Sequence, residues 1–397
     1  MSSTRITEND LELEGILRQI ETEPPESVRA RERNAFDNIA GPFSQRLVLF
    51  GAGPLGKGIL AGLLRAGIEP LSFADNNQEL WGKHVAGLLV LSPDEAVRVY
   101  GETACFVVTI YQGSSVRRQL AALGCRKVAP FVPLLWKYAD IFIPQCGIEL
   151  PHRLVEQCEA IRNCHAILAD DKSKRELREQ LVWRYWLDYS ALSLGLDARD
   201  IYFPMDLLSP SDEDVFVDCG AFDGDTIRSF NEHWGGGFRH TFTFEPDPVN
   251  RAALASKEVT RNLGSRITIM PYAVGNTNGP VSFTCTSSAA SHLTTGDSGV
   301  AIECRRLDDV IWSLTPTYIK MDIECAEPEA LAGSAELLRQ HRPVLAVCTY
   351  HRSEHLWQIP NLIRSIAPEY HLFLRRYAEE CWEGVCYAIP SHRLKRA

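Results

Sequence analysis

Between residues 215 and 390 one pattern repeats: a short apolar run, a break at a glycine, proline or acid, then apolar positions at helical spacing. Val215, Phe216 and Val217 form an unbroken apolar run, as a parallel strand buried on both faces requires, and Asp218 ends it where the chain turns. A helix through residues 226–230 follows, then a second strand from Thr241 to Phe244. Residues 267–275, 317–327 and 343–351 read as third, fourth and fifth strands with their loops. Between the last two, Ala330, Leu331, Leu337 and Leu338 keep helical spacing, with Pro328 at the helix entry. Two β-rich runs at 370–377 and 385–390, joined by a short acidic loop, predict an antiparallel pair at the sheet edge. Strand and helix in this alternation predict a doubly wound α/β sheet with its ligand at the strands' carboxyl ends.

The N-terminal half follows a similar plan. Residues 46–77 read as a strand, a G-x-G-x-x-G turn at Gly51, Gly53 and Gly56, a helix, and a second strand ending in Asp75. Strand and helix alternate again through residue 131. Residues 151–197 then read as helices in which Leu177, Leu181, Trp186 and Leu192 recur at helical intervals, a stripe expected to pack one domain on the other. The fold class predicted is α/β, with two doubly wound Rossmann-like domains joined by a helical segment. The boundaries are an N-terminal helical piece at 1–45, a small domain at 46–148, a connector at 149–200 and a second domain at 201–397.

Composition narrows the function. The chain has 397 residues and 45% hydrophobic content, enough for two well-formed cores. Lys and Arg total 41 against 51 Asp and Glu, a net charge of −10, and the absence of any long basic run argues against nucleic acid or an anionic membrane as partner. The 12 cysteines are scattered, with no C-x-x-C pair and no metal-ligand spacing, and read as reduced core residues. No apolar run reaches spanning length and the N terminus lacks the apolar stretch of a signal peptide, so a cytoplasmic location is expected.

The chemistry lies in the turn after residue 217. Gly220 and Gly224 permit positive φ and a close backbone approach to a ligand, and Thr226 helps start the helix. Glu245 follows about 20 residues past the last glycine, where an acid can accept both hydroxyls of a ribose. A dinucleotide turn would not place bulky Phe222 and acidic Asp223 beside a pyrophosphate. Carboxylates there instead attract the sulfonium and ammonium of S-adenosylmethionine. Beyond the fourth and fifth strands stand Asp322, Glu324, Glu327, Tyr350 and His351. Among them His351 is taken as the base, because imidazole titrates near neutrality and carboxylates can hold its tautomer. Lys320 shares a strand face with Asp322 and can neutralise it.

Residues 202–390 carry, in order, YFP, VDCGAFDGDT, FEPDP, YAVG, IKMDIECAE, CTYH with LWQIP, and YAIP. This stretch resembles the FkbM family of S-adenosylmethionine-dependent methyltransferases. The resemblance implies a class I methyltransferase fold and O-methylation of a hydroxyl on a sugar, glycan or related secondary product. The cofactor site is expected at Asp218, Gly220, Phe222, Gly224, Thr226, Glu245, Pro246, Ala273 and Asp322, and the catalytic set at His351, Asp322 and Glu327. Asp322 has two roles open to it: holding the cofactor's ammonium, or joining Glu324 and Glu327 in an oxygen-rich Mg²⁺ site. The family pattern has glycine where this chain has Cys325, so a positive φ there would be strained. Acceptor specificity is expected in the polar loop 285–300. Two other classes stay open: an NAD- or nucleotide-sugar-binding oxidoreductase or sensor using Gly51, Gly53, Gly56 and Asp75, and a noncatalytic scaffold with a methyltransferase fold.

Overall fold

A computed structural model of the chain describes residues 12–284, 292–293, 300–310 and 314–395. The fold is α/β and divides into two compact units. The first comprises Met1–Cys158, Arg178–Leu194 and Ala378–Trp382, the second Glu159–Leu177, Gly195–Tyr377 and Glu383–Ala397.

The first unit is built on six strands, β1 (Leu47–Phe50), β2 (Ser72–Ala74), β3 (His84–Val85), β4 (Leu88–Leu91), β5 (Cys105–Val108) and β6 (Lys127–Pro130), in the order β3-β4-β2-β1-β5-β6. Neighbours are parallel except β3 and β4, a hairpin at one edge. All residues of β1 and β5 are buried, which is why both read as unbroken apolar runs. A Cβ on Gly56 would stand 1.9 Å from the Gly51 carbonyl oxygen, so the packing of helix Pro54–Arg65 on the β1 turn demands that glycine. The stretch expected to be helical from 151 to 197 is helical only through Trp186, as a 3-10 turn at Pro151–Gln157 and helices Cys158–Ile167 and Asp171–Trp186. Leu187 adopts a left-handed φ of 53° and ends the last of these, so Leu192 lies beyond it and, like Trp186, is only partly buried. Leu177 and Leu181 are fully buried.

The second unit holds β7 (Val215–Cys219), β8 (His240–Phe244), β9 (Ile267–Met270), β10 (Ala273–Val274), β11 (Gly279–Thr284), β12 (His292–Leu293), β13 (Val300–Arg305), β14 (Tyr318–Met321), β15 (Val344–Cys348), β16 (His371–Arg376) and β17 (Gly384–Ile389). Seven form one sheet in the order β16-β17-β15-β14-β7-β8-β9. The run from β9 to β15 is parallel, and β17 inserts antiparallel between β15 and β16. The stretch 267–275 divides at Pro271, so that β9 stays in this sheet and β10 joins a smaller one, β10-β13-β11-β12. The expected specificity loop falls largely on 285–291 and 294–299, outside the described residues.

From β7 the chain winds outward to β8 and β9, then returns to β14 on the other side of β7. The strand order therefore reverses between β7 and β14, where the carboxyl ends part and leave a crevice. Aromatic packing on the sheet fixes this frame. Phe216 of β7 stacks on Phe230 with ring centroids 4.3 Å apart, and Phe203, Trp234 and Tyr318 close around them. Phe203 in that core holds its neighbour Tyr202 at the mouth of the crevice.

Candidate active site

At the carboxyl end of β7 the chain turns through Gly220, whose φ is 84°. A Cβ there would stand 2.0 Å from the Asp322 carbonyl oxygen, so only glycine lets the β7 and β14 loops meet this closely. Phe222 is itself left-handed, and Gly224, at φ 89°, caps helix Asp225–His233. The crevice above is a cavity of about 250 Å³, lined from the β7–β9 loops by Gly220, Phe222, Asp225, Glu245, Pro246, Asn250, Tyr272 and Ala273. Tyr202, Asp322, Ile323, Glu324, Tyr350 and Glu383 line it as well.

Glu245 leaves β8 only 4% exposed, and both its oxygens are braced by the backbone. The amide of Phe222 donates to Oε2 at 2.9 Å and that of Asp247 to Oε1 at 2.8 Å. Burial pushes the carboxyl up to about 7, against the pull of those donors and of Lys320. Each oxygen keeps a second lone pair for a ligand.

Asp218 is fully buried and pairs with Lys320 Nζ at 3.0 Å. Lys320 also donates to the Gly220 carbonyl at 2.7 Å and approaches Asp322 Oδ2 at 3.9 Å. Burial raises Asp218 to about 6 while Lys320 opposes it, and the neighbouring carboxylates hold Lys320 above its ordinary value despite burial. The pair pins the glycine turn from below. Asp218, Gly224 and Thr226 are not cavity-lining residues; among the expected cofactor set, Gly220, Phe222, Glu245, Pro246, Ala273 and Asp322 are.

Asp322 faces the cavity with its side chain 24% exposed. Its Oδ2 accepts the Tyr202 hydroxyl at 2.8 Å, and Oδ1 lies 3.4 Å from the Tyr350 hydroxyl and 3.3 Å from His351 Nε2. Burial would raise this carboxyl, but Lys320 and His351 outweigh it and hold it well below the usual range. His351 has no side-chain exposure and lies behind Asp322, away from the cavity wall. Its Nδ1–H donates to Glu327 Oε1 at 2.7 Å, a carboxylate that also accepts the Ile323 amide at 2.9 Å. Burial disfavours an imidazolium, yet Glu327 and Asp322 more than compensate and lift His351 well above the ordinary histidine value. An imidazolium flanked by carboxylates has no lone pair for an acceptor's proton. Of the three expected catalytic residues, Asp322 lines the cavity, and His351 and Glu327 lie behind it.

The D-I-E-C turn is left-handed at two positions, Glu324 at φ 51° and Cys325 at φ 82°. The strain expected of Cys325 in a glycine position is present, and the Cys325 thiol offsets it by donating to the His351 carbonyl at 3.6 Å. Sequence reasoning missed Tyr202, Asp225, Asn250, Tyr272 and Glu383 as cavity residues. Glu383, at φ 54°, is pushed up to about 7 by burial and then by Asp322. In the first unit Asp75 repeats the Glu245 arrangement, accepting the Ala52 amide at Oδ2 and the Asn77 amide at Oδ1, both at 2.8 Å.

Residues 218–381 match the family model described as the methyltransferase FkbM domain. Among curated proteins none matches the sequence. The crystal structure of methyltransferase FkbM from Methylobacillus flagellatus KT aligns over 95% of this chain and 98% of its own, with a TM-score of 0.73 at 23% identity, which shows a shared fold. A putative rRNA-methylase from Clostridium thermocellum aligns over 50% of this chain and 98% of its own, with a TM-score of 0.34 at 12% identity. The glycine turn, the braced acid after β8 and the acid after β14 all fall within residues 218–381, the segment that matches the FkbM methyltransferase domain.

Proposed function

We propose that the protein is an S-adenosylmethionine-dependent O-methyltransferase acting on a hydroxyl of a sugar, glycan or related secondary product. The observation that carries this reading is Glu245: a buried carboxyl on the cavity wall, fixed by two backbone donors, with lone pairs left for the two hydroxyls of a ribose. Phe222 and Tyr272 offer apolar faces for an adenine, and Asp225, Asp322 and Glu383 on the same cavity supply acids suited to the sulfonium and ammonium of the donor.

In the reaction the acceptor oxygen attacks the methyl carbon in line with the carbon–sulfur bond, which breaks to leave S-adenosylhomocysteine. Positioning supplies much of the rate. Asp322 accepts the acceptor's hydroxyl hydrogen and aims the oxygen lone pair at the methyl group. An oxygen that has gained a methyl while keeping its proton is a strong acid, so a carboxylate held as the anion suffices to take that proton. His351 and Glu327 keep Asp322 ionised and oriented, and Tyr202 fixes its other oxygen. Titration calorimetry with S-adenosylhomocysteine and with NAD separates this reading from an oxidoreductase, since binding of NAD alone overturns it. A screen of glycans and nucleotide-sugars for S-adenosylhomocysteine release then identifies the acceptor; cofactor binding without turnover on any acceptor favours a noncatalytic scaffold.

A further inference from the structure

A second cavity, of about 650 Å³, adjoins the first. One wall is the face of helix Asp225–His233 opposite its buried Ile227 and Phe230, where Asp225, Arg228, Ser229, Glu232 and His233 recur at helical spacing. The other wall is the turn Ala198–Asp200, continued by Ile201 and Tyr202. A polar helix face ordinarily meets open water, but here that turn stands across it. Tyr202 and Asp225 line both cavities, and Tyr202 is the residue whose hydroxyl holds Asp322 at 2.8 Å. Among the described residues the Arg228 guanidinium and the Glu232 carboxylate make no side-chain bond, although four residues on one helix bring them within reach of each other. His233 Nδ1 donates to the Ser229 carbonyl at 2.8 Å, which turns Nε2 toward Asp200 Oδ1 at 3.4 Å.

We propose that this second cavity holds the body of the methyl acceptor, and that the acceptor is an uncharged oligosaccharide whose reacting hydroxyl passes Tyr202 to reach Asp322. The inference rests on the methyltransferase reading of the first cavity. Charge selects the class of ligand. Asp200, Asp225 and Glu232 face two arginines, of which Arg199 is already bonded to Asp197, so the lining disfavours a phosphate or the diphosphate of a nucleotide-sugar. A sugar hydroxyl both donates and accepts, and neighbouring hydroxyls are met by the Glu232 carboxylate and the Arg228 guanidinium one helical turn apart. The volume lies in the range of small-molecule pockets, roughly 300–1,000 Å³, which gives room beyond the single ring being methylated. The side chains of Arg199 and Asp200 are 87% and 55% exposed, so that wall opens to solvent, where a longer chain can leave.

The test applies the full chain, saturated with S-adenosylhomocysteine, to an array of neutral oligosaccharides, their monosaccharides, and sialylated and phosphorylated glycans, with UDP-glucose as a soluble competitor. Neutral oligosaccharides should bind, more tightly than their monosaccharides, and UDP-glucose should not displace them. Arg228→Ala and Glu232→Ala should each weaken that binding about tenfold or more, the effect of losing a hydrogen bond to a charged group. Both side chains are exposed, so neither variant should alter the unfolding temperature. The proposal is overturned if no neutral oligosaccharide binds, if anionic glycans bind as well or better, or if both variants keep wild-type affinity. Calorimetry with S-adenosylhomocysteine on the same proteins reports separately on the methyltransferase reading: its binding in the absence of any bound glycan sinks the second cavity alone.

Discussion

Replacing Glu245 tests the cofactor site and its electrostatics together. Burial pushes its carboxyl up to about 7, above an ordinary glutamate, so ionising it costs about 3 kcal/mol. The folded state therefore keeps a proton that the unfolded chain has released. That contribution to stability is complete below pH ~4.5 and fades as pH rises through ~7. Accepting a ribose hydroxyl at each oxygen requires the ionised form. Between pH 6 and pH 8 the ionised fraction rises about tenfold for such a group, and the affinity for S-adenosylmethionine should rise by the same factor before levelling off. Glu245→Gln removes this dependence and weakens binding by about 1–3 kcal/mol, roughly 5- to 150-fold in Kd. Glu383 also sits at about 7 on the same cavity, and any pH dependence remaining in Glu245→Gln belongs to it. Calorimetry at pH 6, 7 and 8 on wild type and variant decides the matter. Equal wild-type affinity at pH 6 and 8, together with an unweakened variant, would show that no ribose meets this carboxyl.

Other perturbations reach different parts of the unit. Asp214 is buried and accepts from both Arg393 nitrogens at 2.6 and 2.9 Å and from Trp234 Nε1 at 2.7 Å, so Arg393→Ala should cost about 3 kcal/mol in urea denaturation by stranding that charge. Cys325→Gly should raise the urea midpoint, because relief of a left-handed side chain is worth ~1–2 kcal/mol and the added freedom of the unfolded chain takes back less than ~1, whereas Cys325→Ala should not. His351→Gln should lower turnover about 10- to 100-fold and leave S-adenosylhomocysteine affinity within a few-fold, measured as a split between kcat and Kd; full turnover would remove the His351–Glu327 pair from the mechanism.

What could be read from the chain in advance depended on how locally each feature is encoded. The β7 turn and Glu245 were legible because a buried parallel strand is an unbroken apolar run, and the acid after β8 follows at a spacing set by one helix and one strand. The break at Pro271 was not read as a change of sheet, since proline marks where a strand ends and says nothing of where the next one pairs. Tyr202 reaches Asp322 across 120 residues of sequence and Glu383 enters from the β16–β17 loop, and no local period encodes such approaches. Ser114 in the first unit donates its amide to Glu379 at 2.8 Å, which explains why residues 378–382 belong there although every pattern near them is that of the second unit.

The acids after β14 show most clearly where sequence reasoning stops. Asp322, Glu324 and Glu327 are equivalent in the motif, but the chain is left-handed at the second of them, Glu324, and at Cys325 directly after it. This reversal leaves Asp322 and Glu324 on the cavity wall and sends Glu327 into the interior, where it is fully buried against His351 and lies 3.4 Å from His355 Nδ1. His355 is pulled down to about 4, by burial first, and stays neutral beside the Glu327–His351 pair. The charges thus run inward from the cavity as anion, cation, anion. A buried imidazolium is tolerated only between such partners, and its effect is to hold Asp322 ionised in a place where burial alone would have protonated it. Two adjacent positive φ angles therefore mark where the three similar acids part, Asp322 and Glu324 to the cavity and Glu327 to the interior, and the sequence marks that turn only by the cysteine standing where glycine would be unstrained.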